Sequence, residues 1–213
     1  MTLEYLHHRH GQGPSKAVVL WLHGLGANGH DFVGALPHLG LQPHTCLDFY
    51  FPHAPSLPVS INAGMMMPAW YDILSMDFER EVDLKQIEQS ANALKQLVET
   101  VNTEQLPIIL VGFSQGAAMV LHLGLAKFLT PKTVVALSGY LPDPSVATKV
   151  DFPIAIHHGD QDAVVPFRLG EQCCKQLQDQ GNQVSFHSWS MGHEVNVEQL
   201  KLIGQWFEQC LAP

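Results

Sequence analysis

The chain has 213 residues, 46% of them hydrophobic, a size that is typical of one globular domain with a substantial buried core. Its formal net charge is -9, from 11 basic and 20 acidic residues, so no basic surface is expected to neutralise a nucleic-acid backbone. The apolar runs are shorter than the ~20 residues of a membrane span, and residues 1–10 lack the apolar core of a secretory signal, so we expect a soluble cytoplasmic protein.

Cysteine and histidine spacing gives no sign of a metal site. Cys46 and Cys210 stand far from the adjacent pair Cys173 and Cys174, which predicts reduced thiols rather than a disulfide framework. None of the 13 histidines pairs at the HExxH spacing of a zinc helix, and the run His7–His10 is interpreted as a solvated polar stretch. No metal is expected.

Taken in chain order, short apolar runs bounded by Gly, Pro or Asp predict six strands: Ala17–Leu22, Cys46–Phe51, Ile108–Val111, Thr133–Leu137, Ile154–Ile156 and Val184–Trp189. Most of these runs lack polar alternation, as strands do when helices cover both faces of a parallel sheet. Helical patterns predict five helices: Asn28–Leu39, Glu81–Val101, Ala117–Phe128, Phe167–Gln180 and Glu194–Cys210. The alternation predicts one α/β domain over residues 1–213, with a mostly parallel twisted sheet between two layers of helices.

The segment His53–Asp77 interrupts this alternation. It contains three prolines and a run of three methionines followed by Trp70 and Tyr71. A long ordered loop is predicted here, and such loops are often functional, with packing under a core edge as the alternative.

The motif Gly112-Phe113-Ser114-Gln115-Gly116 lies between a predicted strand and a predicted helix. A serine on such a tight turn takes a strained backbone conformation, and side chains two positions away would collide with the strand or the helix, which explains the glycines. The turn places the hydroxyl at the carboxyl edge of the sheet, near a helix amino terminus that favours negative charge. Ser114 is therefore the predicted nucleophile.

A serine nucleophile needs a base and a carboxylate to orient that base, and on folds with this turn they follow in the order Ser, acid, His. Asp160 and Asp162 both lie in the loop after the fifth predicted strand, so either could supply the acid. Asp162 is favoured because Asp160 fits a turn-forming role. His193 follows the last predicted strand and reaches the same sheet edge, whereas His157 and His158 precede the acid and are expected to pack locally.

Acyl transfer also needs donors for an oxyanion. The segment Leu22–Gly26 ends the first predicted strand, and folds of this type take one N–H from that loop and the other from the residue after the nucleophile. The predicted donors are the backbone N–H groups of Leu25 and Gln115, and His23 is assigned a structural role in the same loop.

The chain resembles the carboxylesterase and acyl-protein thioesterase family of small α/β hydrolases in seven stretches, in this order: HGLGANGHDF, FPHAP, MPAWYD, GFSQGAAM, LSGYLP, HGDQDAVVP and GHEV. The resemblance covers nearly the whole chain. It implies an α/β-hydrolase fold without a large cap domain, Ser114, Asp162 and His193 as the catalytic triad, and Leu25 and Gln115 as oxyanion donors. It further implies esters or thioesters of acyl chains as substrates, and no cofactor.

With acyl substrates implied, the methionine-rich loop becomes a candidate acyl-binding surface, because thioether side chains adapt to irregular shapes. The predicted substrate-binding residues are Met65, Met66, Trp70, Leu74 and Val164. Core packing is the alternative, and it is favoured for Trp70. Asp72 is expected to anchor the loop.

The sequence thus predicts a cytoplasmic serine hydrolase acting on small acyl esters, lipids or acylated proteins by double displacement through an acyl-enzyme. Another hydrolase activity on the same scaffold, such as that of a peptidase, a lactonase or a perhydrolase, is the first alternative. A non-catalytic binding protein is less favoured because the set of Ser, Asp and His is intact. A homodimer contact stays open, since exposed apolar residues of the loop could meet either a lipid or a second subunit.

Overall fold

The computed structural model describes residues 3–76 and 80–212. Its strands are β1 (Tyr5–His10), β2 (Ala17–Leu22), β3 (Leu47–Pro52), β4 (Ser56–Val59), β5 (Met65–Pro68), β6 (Ile73–Ser75), β7 (Glu81–Val82), β8 (Ile108–Phe113), β9 (Thr133–Leu137), β10 (Ile154–Gly159) and β11 (Val184–Trp189). Its α-helices are α1 (Leu84–Val101), α2 (Gln115–Leu125), α3 (Phe167–Asp179) and α4 (Val197–Leu211), and its 3₁₀ helices are Gly29–Leu39, Ser60–Asn62 and Pro144–Val146.

One seven-stranded sheet, in the order β1-β3-β2-β8-β9-β10-β11, runs through the molecule. The strand β1 is antiparallel to β3, and every other neighbouring pair is parallel. All six predicted strands belong to this sheet, so the prediction of a mostly parallel α/β fold is confirmed. Because the strands β2, β8, β10 and β11 run the same way, the loops that follow them meet at one edge of the sheet.

Helices cover both faces of the sheet. Alternate residues of each strand point to opposite faces, so Leu20 belongs to one core with α1, α2 and α3, while Val19 and Trp21 belong to the other with α4 and the 3₁₀ helix Gly29–Leu39. The unbroken apolar strands of the sequence are therefore those with both faces buried. Among the residues that the structure describes, no helix has the length and apolar character needed to cross a membrane.

Polar caps set where the helices begin. Asp83 accepts hydrogen bonds from the N–H groups of Lys85 and Gln86, so α1 starts after it rather than at Glu81. Asn196 and Gln199 form a reciprocal capping box at the start of α4. The predicted helix start at Glu194 is therefore wrong, and Glu194 lies in the loop between β11 and α4.

The histidine-rich run His7–His10 has exposed side chains at His7, His8 and Arg9, in agreement with its interpretation as a solvated polar stretch, and its backbone forms a strand that the sequence did not predict. It lies in β1 at the edge of the sheet, where His7 Nε2 is 2.8 Å from Asp48 Oδ1 and the His7 ring stacks on Tyr50. An edge strand keeps polar side chains exposed, so it lacks the apolar run on which the other strands were recognised.

The segment from residue 53 to residue 76 contains the antiparallel pair β4 and β5 and the strand β6, where the sequence predicts only a loop. The strand β6 pairs antiparallel with β7, which lies beyond the segment. Asp77, the predicted end of the loop, lies outside the described residues. The Asp72 carboxylate accepts from the Ser60 N–H at 2.7 Å and from the Ser60 hydroxyl at 2.6 Å, which confirms its predicted anchoring role. The segment packs beside the carboxyl ends of the strands and contributes to the site described next.

Candidate active site

The turn between β8 and α2 holds Ser114 in a backbone conformation that few residues adopt. Its φ is 56° and its ψ is -117°. Such a conformation costs on the order of 1–3 kcal/mol and persists only where the surrounding structure imposes it. The Ser114 N–H donates to the Leu137 carbonyl oxygen at 2.8 Å, which ties the turn to β9.

The two glycines that flank Ser114 at two positions on either side are required by backbone contacts. A Cβ on Gly112 would lie 2.1 Å from the Gly116 carbonyl oxygen, and a Cβ on Gly116 would lie 2.4 Å from the Leu22 carbonyl oxygen. Backbone atoms held in a sheet and a helix cannot swing aside as a flexible side chain can. The glycines therefore let α2 pack directly against β8 and β2, as the sequence predicts.

Asp162 lies in the loop after β10 with its side chain shielded from solvent. Its Oδ1 accepts from the N–H groups of Val164 and Val165 at 2.9 and 2.8 Å, and its Oδ2 lies 2.7 Å from His193 Nδ1. An ionised carboxylate only accepts hydrogen bonds, so Nδ1 of His193 carries the proton in this pair. The other ring nitrogen, Nε2, is then available as a proton acceptor.

The environment of Asp162 keeps it ionised. Burial favours the neutral form, but hydrogen bonds from His158, His193 and the Val165 N–H outweigh it and hold the pKa of Asp162 well below its ordinary value. A negative charge fixed beside His193 favours the imidazolium that forms when this ring accepts a proton.

The two histidines of β10 do not line the catalytic cavity. His158 is fully buried, with its Nε2 2.8 Å from the Val165 carbonyl oxygen and 3.5 Å from Asp162 Oδ2, so it braces the acid loop. His157 accepts from the Trp189 indole N–H at 3.2 Å, and burial lowers the pKa of His157 to about 3. Both make local contacts, as the sequence predicts.

The predicted oxyanion donors lie beside Ser114. Leu25 is in the turn after β2, Gln115 is the first residue of α2, and both line the same cavity as Ser114. Within residues 3–76 and 80–212, no group accepts a hydrogen bond from either backbone N–H. Two unpaired donors at the edge of a cavity can bind an oxyanion.

His23 holds the Leu25 turn from inside the molecule. Burial lowers the pKa of His23, so its ring is neutral. The ring accepts from the Ala54 N–H at Nε2, over 3.1 Å, and its Nδ1 lies 2.7 Å from the Gly24 carbonyl oxygen, to which it donates. These contacts give His23 the structural role that the sequence predicts.

Trp70 supports the same turn, and Gln115 has a side-chain role that sequence reasoning missed. The Trp70 indole N–H donates to the His23 carbonyl oxygen at 2.9 Å. The Gln115 side chain accepts from the Trp70 backbone N–H at 2.9 Å and donates to the Tyr71 carbonyl oxygen at 2.7 Å. Gln115 therefore clamps the segment 69–72 against the start of α2. In the sequence, the only indication of this role was a single amide side chain among the small residues at the start of the helix.

Ser114 and His193 line one cavity of about 420 Å³ at the carboxyl edge of the sheet. The Phe113 ring lies 4.7 Å from that of His193, centroid to centroid, and forms part of the wall. Beyond the residues already described, the cavity is lined by apolar side chains and a few polar ones, namely Ala27, Asp31, Phe32, Ile61, Ile73, Met76, Arg80, Tyr140, Val164, Glu194 and Val195. A mostly apolar cavity with a few polar groups is what an acyl substrate requires.

The predicted acyl-binding surface needs correction. Of its five residues, the structure brings only Val164 to the catalytic cavity. Trp70 is 0% exposed, while Met65, Met66 and Leu74 are 63%, 61% and 43% exposed and lie outside the cavity lining. Trp70 is instead buried against the Leu25 turn, and the side chains of the other three are exposed to solvent on short strands.

Within the methionine-rich segment, sequence reasoning missed three apolar residues that line the cavity: Ile61, Ile73 and Met76. Ile73 is buried and its neighbour Leu74 is exposed, which is the alternation of a strand. Recognising β6 as a strand would have assigned the inward position to Ile73 rather than to Leu74.

Comparison with known proteins gives the family. The model of the Phospholipase/Carboxylesterase family matches residues 5–211. The chain belongs to this family. It is therefore an enzyme of the carboxylic ester hydrolase class, with an α/β-hydrolase fold.

Individual relatives agree with this assignment. The chain is 33% identical to acyl-protein thioesterase 1 of Neurospora crassa, over 92% of this chain and 87% of that protein. It is 31% identical to acyl-protein thioesterase 1 homolog 1 of Dictyostelium discoideum, over 92% of this chain and 91% of that one. The crystal structure of Zea mays acyl-protein thioesterase 2 superposes with a TM-score of 0.86 at 27% identity, over 97% of this chain and 99% of that chain.

Proposed function

We propose that this hydrolase cleaves acyl esters and thioesters by double displacement, with Ser114 as nucleophile, His193 as base and acid, and Asp162 as the group that orients His193. The proposal rests on one observation above all. His193 is bonded to the buried Asp162 carboxylate at 2.7 Å and lines the same cavity as the strained Ser114. Sequence-distant groups that meet in this way form the machinery of serine hydrolases.

In the first half of the reaction, His193 Nε2 takes the Ser114 proton as the serine oxygen attacks the acyl carbon. The tetrahedral oxyanion accepts hydrogen bonds from the N–H groups of Leu25 and Gln115. The bond to the alcohol or thiol then breaks, and the leaving group takes the proton from His193. The acyl group stays on Ser114 as an ester.

In the second half, His193 removes a proton from water, and the resulting hydroxide attacks the acyl carbon of the acyl-enzyme. A second oxyanion forms against the same two N–H groups. When it collapses, Ser114 regains its proton from His193 and the free carboxylic acid departs. Asp162 keeps the correct ring nitrogen of His193 protonated throughout.

The proposed substrates are acyl esters or thioesters, including lipids and acylated proteins. Relatives named acyl-protein thioesterase support this class, and so does the apolar lining formed by Ile61, Ile73, Met76 and Val164. Matched p-nitrophenyl esters and acyl thioesters of one chain length would show whether oxygen or sulfur leaves faster.

The test is the variant Ser114→Ala, assayed with p-nitrophenyl esters and with a fluorophosphonate probe followed by mass measurement of the intact protein. We expect a loss of on the order of 10⁴-fold or more in kcat, an unchanged melting temperature and no label on the variant. Ser188→Ala, at an exposed serine of β11, is the matched control and should behave like the parent protein. Undiminished turnover or labelling in Ser114→Ala would remove Ser114 as the nucleophile.

A further inference from the structure

A second cavity, of about 770 Å³, adjoins the catalytic cavity. We call it the α3 groove, because most of its lining comes from α3 and from the segment after β9: Arg80, Tyr140, Leu141, Pro142, Pro144, Arg168, Leu169, Gln172, Cys173, Lys175, Gln176 and Asp179. Among the described residues, only Arg80 and Tyr140 line both this groove and the catalytic cavity. This pair of side chains therefore stands between the two spaces.

Tyr140 is the rigid member of the pair that separates the two cavities. Its side chain is buried, and its hydroxyl lies 2.7 Å from the hydroxyl of Tyr71, which is also buried. Both phenols sit in the core beneath the sheet edge, where packing leaves little room to turn. Tyr140 thus provides a rigid surface for the partner that lies on it.

Arg80 is the other member of the pair, and its flexible side chain lies on the Tyr140 ring. Its guanidinium carbon lies 5.0 Å from the centre of the Tyr140 ring, and its Nη2 donates to the Val164 carbonyl oxygen. Its long side chain thereby reaches from the residue before β7 to the loop that carries Asp162, across one end of the catalytic cavity. It is also the sole cation among the described residues that line that cavity.

The lining beside Arg80 is apolar, with Val164 in contact with it and Ile73 and Met76 on the preceding segment. An acyl chain that fills this end would meet the guanidinium last. To extend further, the chain must displace the charge from Tyr140 and Val164 and bring methylene groups against it, which is unfavourable. Beyond Arg80, the α3 groove offers apolar surface from Leu141, Leu169 and the buried Cys173.

We propose that Arg80 is a specificity-determining residue that closes the acyl end of the catalytic cavity and so limits the length of the acyl chain that the enzyme accepts. The inference rests on the proposed function, since it concerns the acyl substrate of that same site. It predicts that removing the guanidinium joins the cavity to the α3 groove and admits longer chains.

The experiment compares the parent protein with Arg80→Ala across p-nitrophenyl esters from acetate to laurate, below their micelle concentrations. For the parent, kcat/KM should rise by about fourfold for each methylene that the cavity buries and then stop rising. For Arg80→Ala, the rise should continue for several further methylenes. The quantity compared is the ratio of long-chain to short-chain kcat/KM within each variant, so a uniform loss from disturbing the Val164 loop cancels.

Arg168→Ala is the matched control. Arg168 lines only the α3 groove, so its removal should leave the chain-length profile of the parent unchanged. If Arg80→Ala has a lowered melting temperature, Arg80→Gln gives the second measurement, because it keeps an amide donor for Val164 on a shorter side chain. It should shift the profile in the same direction by fewer methylenes.

An unchanged length profile in Arg80→Ala and Arg80→Gln, with hydrolysis of short esters intact, would overturn the role of Arg80 and leave the proposed function standing. Failure of the parent to hydrolyse any of these esters, or full activity in Ser114→Ala, would instead overturn the proposed function. The two failures are therefore distinguishable within one set of assays.

Discussion

The catalytic half and the acyl half of the cavity are held in different ways. The proposed catalytic half consists of Ser114, Asp162 and His193, and each of these residues follows a strand of the central sheet, so backbone geometry positions all three. The proposed acyl half consists of Ile61, Ile73, Met76, Arg80, Tyr140 and Val164, most of which come from short or irregular segments.

The difference reflects two requirements of the enzyme: precise positioning of the reacting groups and an apolar surface for the acyl chain. Reacting groups must be held within a fraction of an ångström, which a sheet edge and backbone hydrogen bonds can achieve. A surface for acyl chains needs only shape and apolar character, so side chains on irregular segments are sufficient. Substitutions in the catalytic half should therefore abolish chemistry or folding, while those in the acyl half should change preference among substrates.

The largest effect is expected from Asp162→Asn. The change removes the charge that stabilises the His193 imidazolium and favours the wrong ring tautomer, so kcat should fall by on the order of 10⁴-fold with little change in KM. Steady-state kinetics with a p-nitrophenyl ester measures both. Asp160→Asn, two residues earlier and exposed, should retain parental activity, and a comparable loss there would reverse the assignment of the acid.

Asp162→Asn also gives a pH-dependent readout of stability. The pKa of Asp162 is lowered in the folded state, so its ionised form stabilises the fold above its unfolded value of about 4, and this stabilisation fades as the pH falls below that value. The difference in unfolding free energy between the parent and Asp162→Asn should thus shrink with acidification. Urea unfolding of both proteins from pH 7 down to pH 3 would detect it.

The next effect in size concerns folding. Gly116→Ala places a Cβ 2.4 Å from the Leu22 carbonyl oxygen, and α2 must move away from β2 to accept it. We expect a loss of about 3 kcal/mol in unfolding free energy, together with displacement of Ser114 and loss of activity. Chemical denaturation measures the first and ester hydrolysis the second.

Gly34→Ala is the matched control for Gly116→Ala. A Cβ on Gly34 meets no atom within 4 Å, so this variant should keep the stability and activity of the parent. Equal stability of the two variants would mean that glycine at position 116 is not required by the backbone contact.

The smallest effect belongs to the acyl half. Met76→Ala shortens a side chain that lines the cavity, so kcat/KM for medium-chain esters should fall by about tenfold or less while acetate ester hydrolysis stays unchanged. Met65→Ala, at an exposed methionine outside the cavity, should change neither rate. A larger effect at Met65 than at Met76 would favour the acyl surface that the sequence alone predicts.

Sequence reasoning predicted the catalytic half more fully than the acyl half for a physical reason. Gly112 is required by its contact with the Gly116 backbone, and Gly116 is required by its contact with β2, the strand that α2 covers. The short motif around Ser114 therefore specifies the conformation of the turn. Apolar runs likewise reveal strands that are buried on both faces. In the acyl half, Met65 and Met76 look alike in sequence, and nothing local states which of them faces the cavity.

The sequence by itself determined the alternation of strands and helices, the strained turn at Ser114 and the candidates Asp162 and His193, because periodicity and glycine requirements are local. Only the tertiary structure decided that Trp70 supports the Leu25 turn, that Gln115 clamps the segment beside it and that Arg80 lies between the catalytic cavity and the α3 groove. Those roles depend on contacts between residues that are tens of positions apart in the chain. Such contacts follow from the packing of whole layers, and no short stretch of sequence encodes them.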